Sequence, residues 1–332
     1  MSTISVVECD SLPVTPDVNS VYRLVPQNRG DTFYTERTDR NIGWITLEEQ
    51  AYLRTCVVGI AGCGGMGGLV VSILGRLGIG EVRIADCETF DESNLNRQFA
   101  ASSKTIGISK AFATARMARE IIDDTVLVVY PQGITPDTVD SFLVGCDIVL
   151  DEIEFWAVGA RILLHEWAAL HGVPLITCCT LGFGTRLLLS DHKGMSMADM
   201  LGMTTEEAYE LQEKVAAREA TQAEIERVLY AMVNAVVPEV PEYGADIGSY
   251  SSVSSFMARM LNECRAPIIA SNPPLASGFL ADHTLLYLLA RRSPDTRAYV
   301  RPPLTPGYLY FDAALMEARS VVLTEVCHAY GN

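Results

Sequence analysis

Between residues 57 and 110 the chain sets out glycines, acids, amides and cations in an order that suits a phosphorylated ligand. Val57-Val58-Gly59-Ile60-Ala61 is an apolar run of β type that stops in Gly62-Cys63-Gly64-Gly65-Met66-Gly67-Gly68 and resumes as a helical pattern, Leu69 to Leu77. In such a turn Gly62 takes the tight bend. Gly64 and Gly65 remove side chains where a phosphate must meet the backbone, and Gly67 lets the helix lie close on the sheet. The helix start then offers unpaired N–H groups and the positive end of its dipole to an anion. Asp86 ends the next apolar run, at the distance where an acid meets ribose hydroxyls in a dinucleotide fold. Thus far the pattern fits a nicotinamide dehydrogenase, a flavin enzyme or an ATP enzyme.

The next stretch separates them. Asp86-Cys87-Glu88-Thr89-Phe90-Asp91-Glu92-Ser93-Asn94-Leu95-Asn96-Arg97-Gln98 ends in amides and a cation, Lys110 supplies a second cation and Arg40 a third. A nicotinamide enzyme has no need of that run. A triphosphate does, because negative charge builds up on the phosphates during displacement.

These residues need a scaffold, and the chain alternates to supply one. Glu81–Asp86, Val126–Tyr130, Asp147–Asp151 and Pro174–Cys179 read as strands. Helical patterns lie at Ser109–Ile122, Pro136–Val144 and Ala157–His171. The fold class is therefore α/β, a doubly wound, mainly parallel Rossmann-like sheet, and ligands of such sheets bind beyond the carboxyl ends of the strands. Upstream, Tyr22–Val25 reads as a short strand. Thr46 with Glu49 three residues later marks the start of a helix that runs to Arg54. Downstream, Thr185–Ser190 reads as an antiparallel strand. Met195–Met203 reads as loop, Thr204 to about Val237 as a charged helical stretch broken near Ala220-Thr221, and Pro238–Gly244 as its end. A Ser/Tyr segment (Ser249–Ser255), a helix at Leu275–Leu289 and a strand at Tyr308–Asp312 follow. The expected organisation is an N-terminal arm (1–45), a nucleotide-binding core (46–190), a helical insertion that either covers the cleft or a partner site or is a plain surface excursion (191–265), and a closing helix and antiparallel strand of the same domain (266–332).

Bulk properties exclude several classes. The formal net charge of −16 argues against a nucleic-acid surface and against docking on anionic lipid. Nine cysteines are scattered with no Cys-x-x-Cys pair, so no structural zinc is expected and reduced thiols in the cytoplasm are. The first ten residues lack the basic-then-apolar pattern of a signal peptide, and no apolar run is long enough to span a bilayer. Five histidines form no cluster with ligand spacing.

Taken together, Gly62-x-Gly64-Gly65-x-Gly67, Asp86-x-Glu88, Ser93-Asn94-Leu95-Asn96-Arg97-Gln98 and Lys110 resemble the ThiF/MoeB family, which belongs with the ubiquitin-activating enzymes. The likeness runs from about residue 33 to 190, and more weakly to the helix at 275–289. It implies ATP-dependent adenylation of a carboxylate on a small ubiquitin-like protein or a ribosomal peptide, giving acyl-AMP and pyrophosphate. It further implies that Gly62, Gly64, Gly65 and Gly67 hold phosphates. Asp86, with Glu88 beside it, binds ribose, and Asn94, Arg97 and Lys110 grip the phosphates and the leaving pyrophosphate. Arg40 acts as an arginine finger across a homodimer interface. Magnesium is expected at Glu154 with Asp151, although the family carries Asp where this chain has Glu154.

Glu88 likewise replaces a common Asp. No cysteine lies in 191–260, where members that pass the acyl group to a thiol carry theirs. Cys178, Cys179 and Cys264 read as structural thiols, which favours release of the adenylate to a separate acceptor or direct attack by an amine, amide or sulfur donor. Two other readings stand beside this one: a catalytically silent scaffold of the same fold, and an NAD(P)-dependent oxidoreductase. A side-chain or tRNA carboxyl is a further substrate class, the latter disfavoured by the acidic charge.

Overall fold

The computed structural model describes residues 5–237, 259–292 and 299–326. The expected helix end at Pro238–Gly244 and the Ser/Tyr segment lie outside them. The chain divides into two compact units, 1–153 with 277–301 and 154–276 with 302–332.

The first unit is built on β1 (Val6–Cys9), β2 (Val21–Leu24), β3 (Val57–Ala61), β4 (Glu81–Ala85), β5 (Val126–Tyr130) and β6 (Ile148–Asp151), in the order β1-β2-β5-β4-β3-β6. Strand β3 pairs in parallel with β4 on one side and with β6 on the other, with Ala61 opposite both Ala85 and Asp151. The winding direction therefore reverses at β3, and a crevice opens beyond its carboxyl end. Strands β3, β5 and β6 are near-continuous buried apolar runs, as a sheet covered on both faces requires, while β4 carries the partly buried Glu81 and Arg83. The N-terminal arm joins this sheet: β2 runs antiparallel to β5, and β1 runs parallel to β2.

Helices α1 (Gly30–Thr38), α2 (Leu47–Leu53), α3 (Gly67–Leu77), α4 (Lys110–Ile121) and α5 (Val139–Leu143) complete the unit, with the part of the later helix at Asn272–Arg292 that begins at Ser277. Thr46 and Glu49 form the anticipated capping box of α2. Helix α1 is invisible to a pattern search because only Tyr34 and Thr38 are buried on it, a single i, i+4 pair. Helix α5 begins three residues later than expected. Thr135 and Thr138 tie their hydroxyls and amides into a turn there, and Pro136 sits inside it.

The second unit holds α6 (Val158–His171), β7 (Leu175–Leu181), β8 (Gly184–Ser190), α7 (Met197–Leu201), α8 (Thr205–Ala217), α9 (Gln222–Ala235), β9 (Tyr308–Asp312) and β10 (Glu317–Val321). Its strands form an antiparallel run, β7-β8-β9-β10. Strand β10 is unexpected from its sequence, Glu-Ala-Arg-Ser-Val, because it is a half-exposed edge strand. The stretch Met195–Met203 is not all loop. Ser196 caps α7 by accepting the Asp199 N–H, and Met197, Met200 and Leu201 are buried. Helices α7 to α9 share one apolar cluster with Val158 and Ile162 of α6, Leu188 of β8 and Tyr308 of β9. Gly159 lets α6 approach α8 so closely that a Cβ there would stand 2.7 Å from Tyr209. Gln212 of α8 accepts the Gly159 and Ala160 N–H groups at 3.0 and 3.1 Å, capping α6 from a neighbouring helix.

We name the helix Asn272–Arg292 α10. Among the described residues no helix is long and apolar enough to cross a membrane.

Candidate active site

The turn after β3 is forced into shape by backbone packing. Gly62 has φ +106°, and a Cβ there would lie 2.0 Å from the Glu152 carbonyl oxygen. At Gly67 a Cβ would lie 2.0 Å from the Gly62 carbonyl oxygen. Only glycine meets both demands. At Gly64, by contrast, a Cβ would meet nothing within 4 Å. The amides of Gly64, Gly65, Met66 and Gly67 have no hydrogen-bond partner among the described residues. Four donors at the N-terminus of an eleven-residue helix, with open space at Gly64, form a ready site for an anion. Ser277 of α10 steadies the turn from the other side, donating to the Met66 carbonyl at 3.2 Å.

Asp86 ties the turn to β4. Its Oδ2 accepts the Cys63 N–H at 2.6 Å and its Oδ1 the Glu88 N–H at 2.8 Å. Only 8% of the residue is exposed. Burial pushes its carboxyl above the usual range, against the pull of Lys110 and the two N–H donors. The residue expected to meet ribose thus also holds the glycine turn in place, a role that sequence spacing does not reveal.

Lys110, the first residue of α4, is buried with its Nζ 2.7 Å from Glu88 Oε2 and 6.0 Å from the Phe90 ring centroid. Burial pulls the lysine's pKa down, but Glu88 and Asp86 outweigh it and the ammonium is held above its ordinary range. The cation is therefore fixed and charged, and Glu88, 48% exposed, is the partner that can yield.

Asn94 is buried in the short turn Glu92–Asn94. Its Oδ1 accepts the Asp91 N–H at 3.2 Å, and Asp91 in turn accepts the Ser93 N–H. Arg97 follows, half-buried, donating to the Ser93 carbonyl at 3.0 Å and the Asn96 side chain at 2.8 Å. Burial lowers its hold on the proton, with Asp91 and Glu88 opposing. Its two bonded partners are neutral, so an incoming phosphate does not have to displace a carboxylate from it.

Gly62 to Gly67, Asp86, Glu88 and Lys110 are thus brought together, with Asn94 and Arg97 on the adjoining turn. Arg40 is not. Its neighbour Asn41 donates to the Leu77 carbonyl, and Tyr34 and Gln50 donate to Gly78 and Leu77, all at the C-terminal end of α3. The glycine turn is at the other end, about 16 Å away at 1.5 Å per residue, farther than an arginine side chain extends. Arg40 is exposed and has no partner among the described residues. Asp151, opposite Ala61, is wholly buried, and its Oδ1 accepts the Ile153 N–H. Glu154 is exposed and opens the second unit, its Oε2 accepting the Trp156 N–H at 2.7 Å. Among the described residues no group of three or more His, Cys, Asp or Glu is placed to hold a metal.

Residues 38–325 match the ThiF family. The chain belongs to that family. The resemblance carried by Gly62 to Lys110 therefore extends over most of the sequence. Among ThiF-type relatives, the adenylyltransferase and sulfurtransferase uba4 of Aspergillus fumigatus is 31% identical over 156 residues, covering 47% of this chain and 31% of the relative. The tRNA threonylcarbamoyladenosine dehydratase of Escherichia coli is 32% identical over 141 residues, 42% of this chain and 51% of the relative. The chain thus spans about a third to a half of these relatives. Among solved structures, PaaA shares the fold at 15% identity with a TM-score of 0.57, covering 89% of this chain and 84% of that one. E. coli MccB, crystallised with ATP, does so at 16% identity with a TM-score of 0.55, covering 89% and 73%.

Proposed function

We propose that this ThiF-family protein uses ATP to adenylate a carboxylate of a peptide or small ubiquitin-like protein. One carboxylate oxygen attacks the α-phosphorus, the bond from that phosphorus to the bridging oxygen breaks, and acyl-AMP and pyrophosphate result. The observation that carries the reading is the buried, charged Lys110 set beside a turn with four amides that have no partner among the described residues. A triphosphate needs both, and the nucleophile is already ionised, so positioning and charge stabilisation suffice. Lys110 leaves Glu88 for the phosphates, Arg97 adds a second cation at the leaving group, and Asp86 with Glu88 faces the ribose. Magnesium, which keeps several waters and needs few carboxylates, fits the exposed Glu154 better than the sealed Asp151. Asp151 would then act by fixing the turn that follows β6.

Arg40 belongs in this reading as a residue offered to a second copy of the chain. Its place at the far end of α3 supports action in trans, and Trp44 (88% exposed) and Leu47 (62% exposed) beside it give a homodimer apolar surface to bury. Names of relatives and neighbours support the chemistry: the Aspergillus fumigatus relative is called an adenylyltransferase, and MccB has been crystallised with ATP.

ATP–pyrophosphate exchange with candidate peptides tests the proposal. Exchange dependent on one peptide is expected. ATP binding without exchange for any substrate would favour a silent scaffold, the reading that Glu154 in place of Asp supports. Tight NADH binding with no ATP binding would sink both.

A further inference from the structure

In the second unit a cavity of about 550 Å³ lies between the α8–α9 loop and the segment 261–265. Val215, Ile225 and Leu261 give it an aliphatic wall, and Arg218 and Arg265 give it charge. Its frame is anchored. Arg218, in the left-handed region at φ +60°, closes α8 through its N–H to the Val215 carbonyl. Cys264, also left-handed at φ +50°, accepts the Trp156 indole N–H on its carbonyl at 3.0 Å.

The other cations around this hairpin are paired. Lys214 holds Glu210 and Glu224, Arg227 holds Glu207, and Arg259 holds Glu263, the one acid on the cavity wall. The guanidinium groups of Arg218 and Arg265 on that wall have no hydrogen bond or ion pair with any described residue. In a chain where 41 acids face 25 lysines and arginines, two unmatched guanidinium groups on one cavity make it a local electropositive site. Guanidinium is planar and always charged, and it matches a carboxylate with two parallel N–H···O bonds. The aliphatic wall asks for an apolar group next to that carboxylate, and the volume lies within the range of ligand pockets.

We propose that this cavity binds an acidic peptide segment, with Arg218 and Arg265 gripping carboxylate side chains and an adjacent aliphatic side chain lying on Val215, Ile225 and Leu261. The proposal stands whether or not the adenylation reading does.

The experiment uses the full chain without nucleotide. Acetyl-Leu-Glu-Glu-Leu-amide is titrated calorimetrically beside its Gln-Gln counterpart and beside glutarate. Alkylation of Cys264, which lines the cavity, is followed by mass spectrometry with the exposed Cys87 as internal control. The acidic peptide should bind and slow alkylation of Cys264 but not of Cys87. Arg218→Gln and Arg265→Gln, both at exposed positions, should each weaken binding about fivefold, the range of a solvent-facing ion pair. Equal binding of the Gln-Gln peptide, undiminished binding by the double variant, or an unprotected Cys264 would overturn the proposal. Glutarate binding as tightly as the peptide would overturn its peptide part.

Discussion

In the proposed chemistry Lys110 is the central cation, and Glu88 and Asp86 hold its pKa above the ordinary range against the effect of burial. Lys110→Met should lower the exchange rate by about 10²-fold, the usual loss of one preorganised charge donor, with the circular dichroism spectrum unchanged. Glu88→Gln removes the larger of the two supports. Burial then prevails and the lysine's pKa falls, so the alkaline limb of the exchange rate against pH should move to lower pH. An unmoved limb would mean that Lys110 is not the cation being titrated. Gly62 belongs to a different class. A Cβ there meets the Glu152 carbonyl at 2.0 Å on a residue with φ +106°, so Gly62→Ala should lower stability as well as activity. The types and order of these residues were legible in the sequence. The part Asp86 plays in holding the turn was not, since hydrogen bonds to the Cys63 and Glu88 amides leave no trace in spacing.

At the scale of elements, local signals and tertiary override divide cleanly. Three helices begin with the same Thr-x-x-Glu capping box: Thr46 to Glu49, Thr204 to Glu207 and Thr221 to Glu224. Each satisfies two amides within one turn, so each is readable from sequence, and the break between α8 and α9 follows from the third. Thr204→Ala should cost about 1 kcal/mol of stability by urea unfolding. Helix α6 starts without such a signal, because its cap, Gln212, comes from α8. Gln212→Ala leaves two amides without that acceptor and should cost about 1–3 kcal/mol, with Gln212→Glu retaining stability. An equal loss in both variants would show that packing rather than capping is at stake. Strand β10 and helix α1 went unforeseen for a related reason: one is a charged edge strand and the other buries only two residues.

For the whole molecule, the position of Arg40 makes a prediction about assembly. Arg40→Ala and Lys110→Met should each be strongly impaired alone yet regain part of the exchange activity when mixed, since a mixed dimer contains one site with both residues intact. No recovery, with dimers present by sedimentation, would remove Arg40 from the site. Stability as a whole should also carry an acid dependence from α10. Burial lowers His283 to about 4, with the Phe279 ring 4.5 Å away and the Tyr299 hydroxyl 3.4 Å from Nδ1. Its folded pKa lies below its unfolded value, so the unfolded chain binds the extra proton. The contribution is complete above about pH 6.5 and is lost as pH falls towards 4. Asp282, raised by burial, weighs in the opposite direction over a lower range. Replacing His283 by Phe should flatten the melting temperature between pH 7 and 5.

The glycine turn, the order of acids and cations after it, and the alternation of strands and helices were all fixed by sequence. Each depends on backbone geometry within a few residues or on a periodicity that one strand or helix displays alone. Family membership follows from that set, and the match over 38–325 bears it out. Tertiary structure decided the rest. It put the arm's β2 against β5, built α7 to α9 into the apolar core of the second unit, and sealed Asp151. It also set Arg40 at the wrong end of α3 to serve its own glycine turn and left Arg218 and Arg265 unmatched on one cavity. Those outcomes depend on which distant surfaces meet, and burial and charge pairing between residues far apart in the chain are settled only when they do.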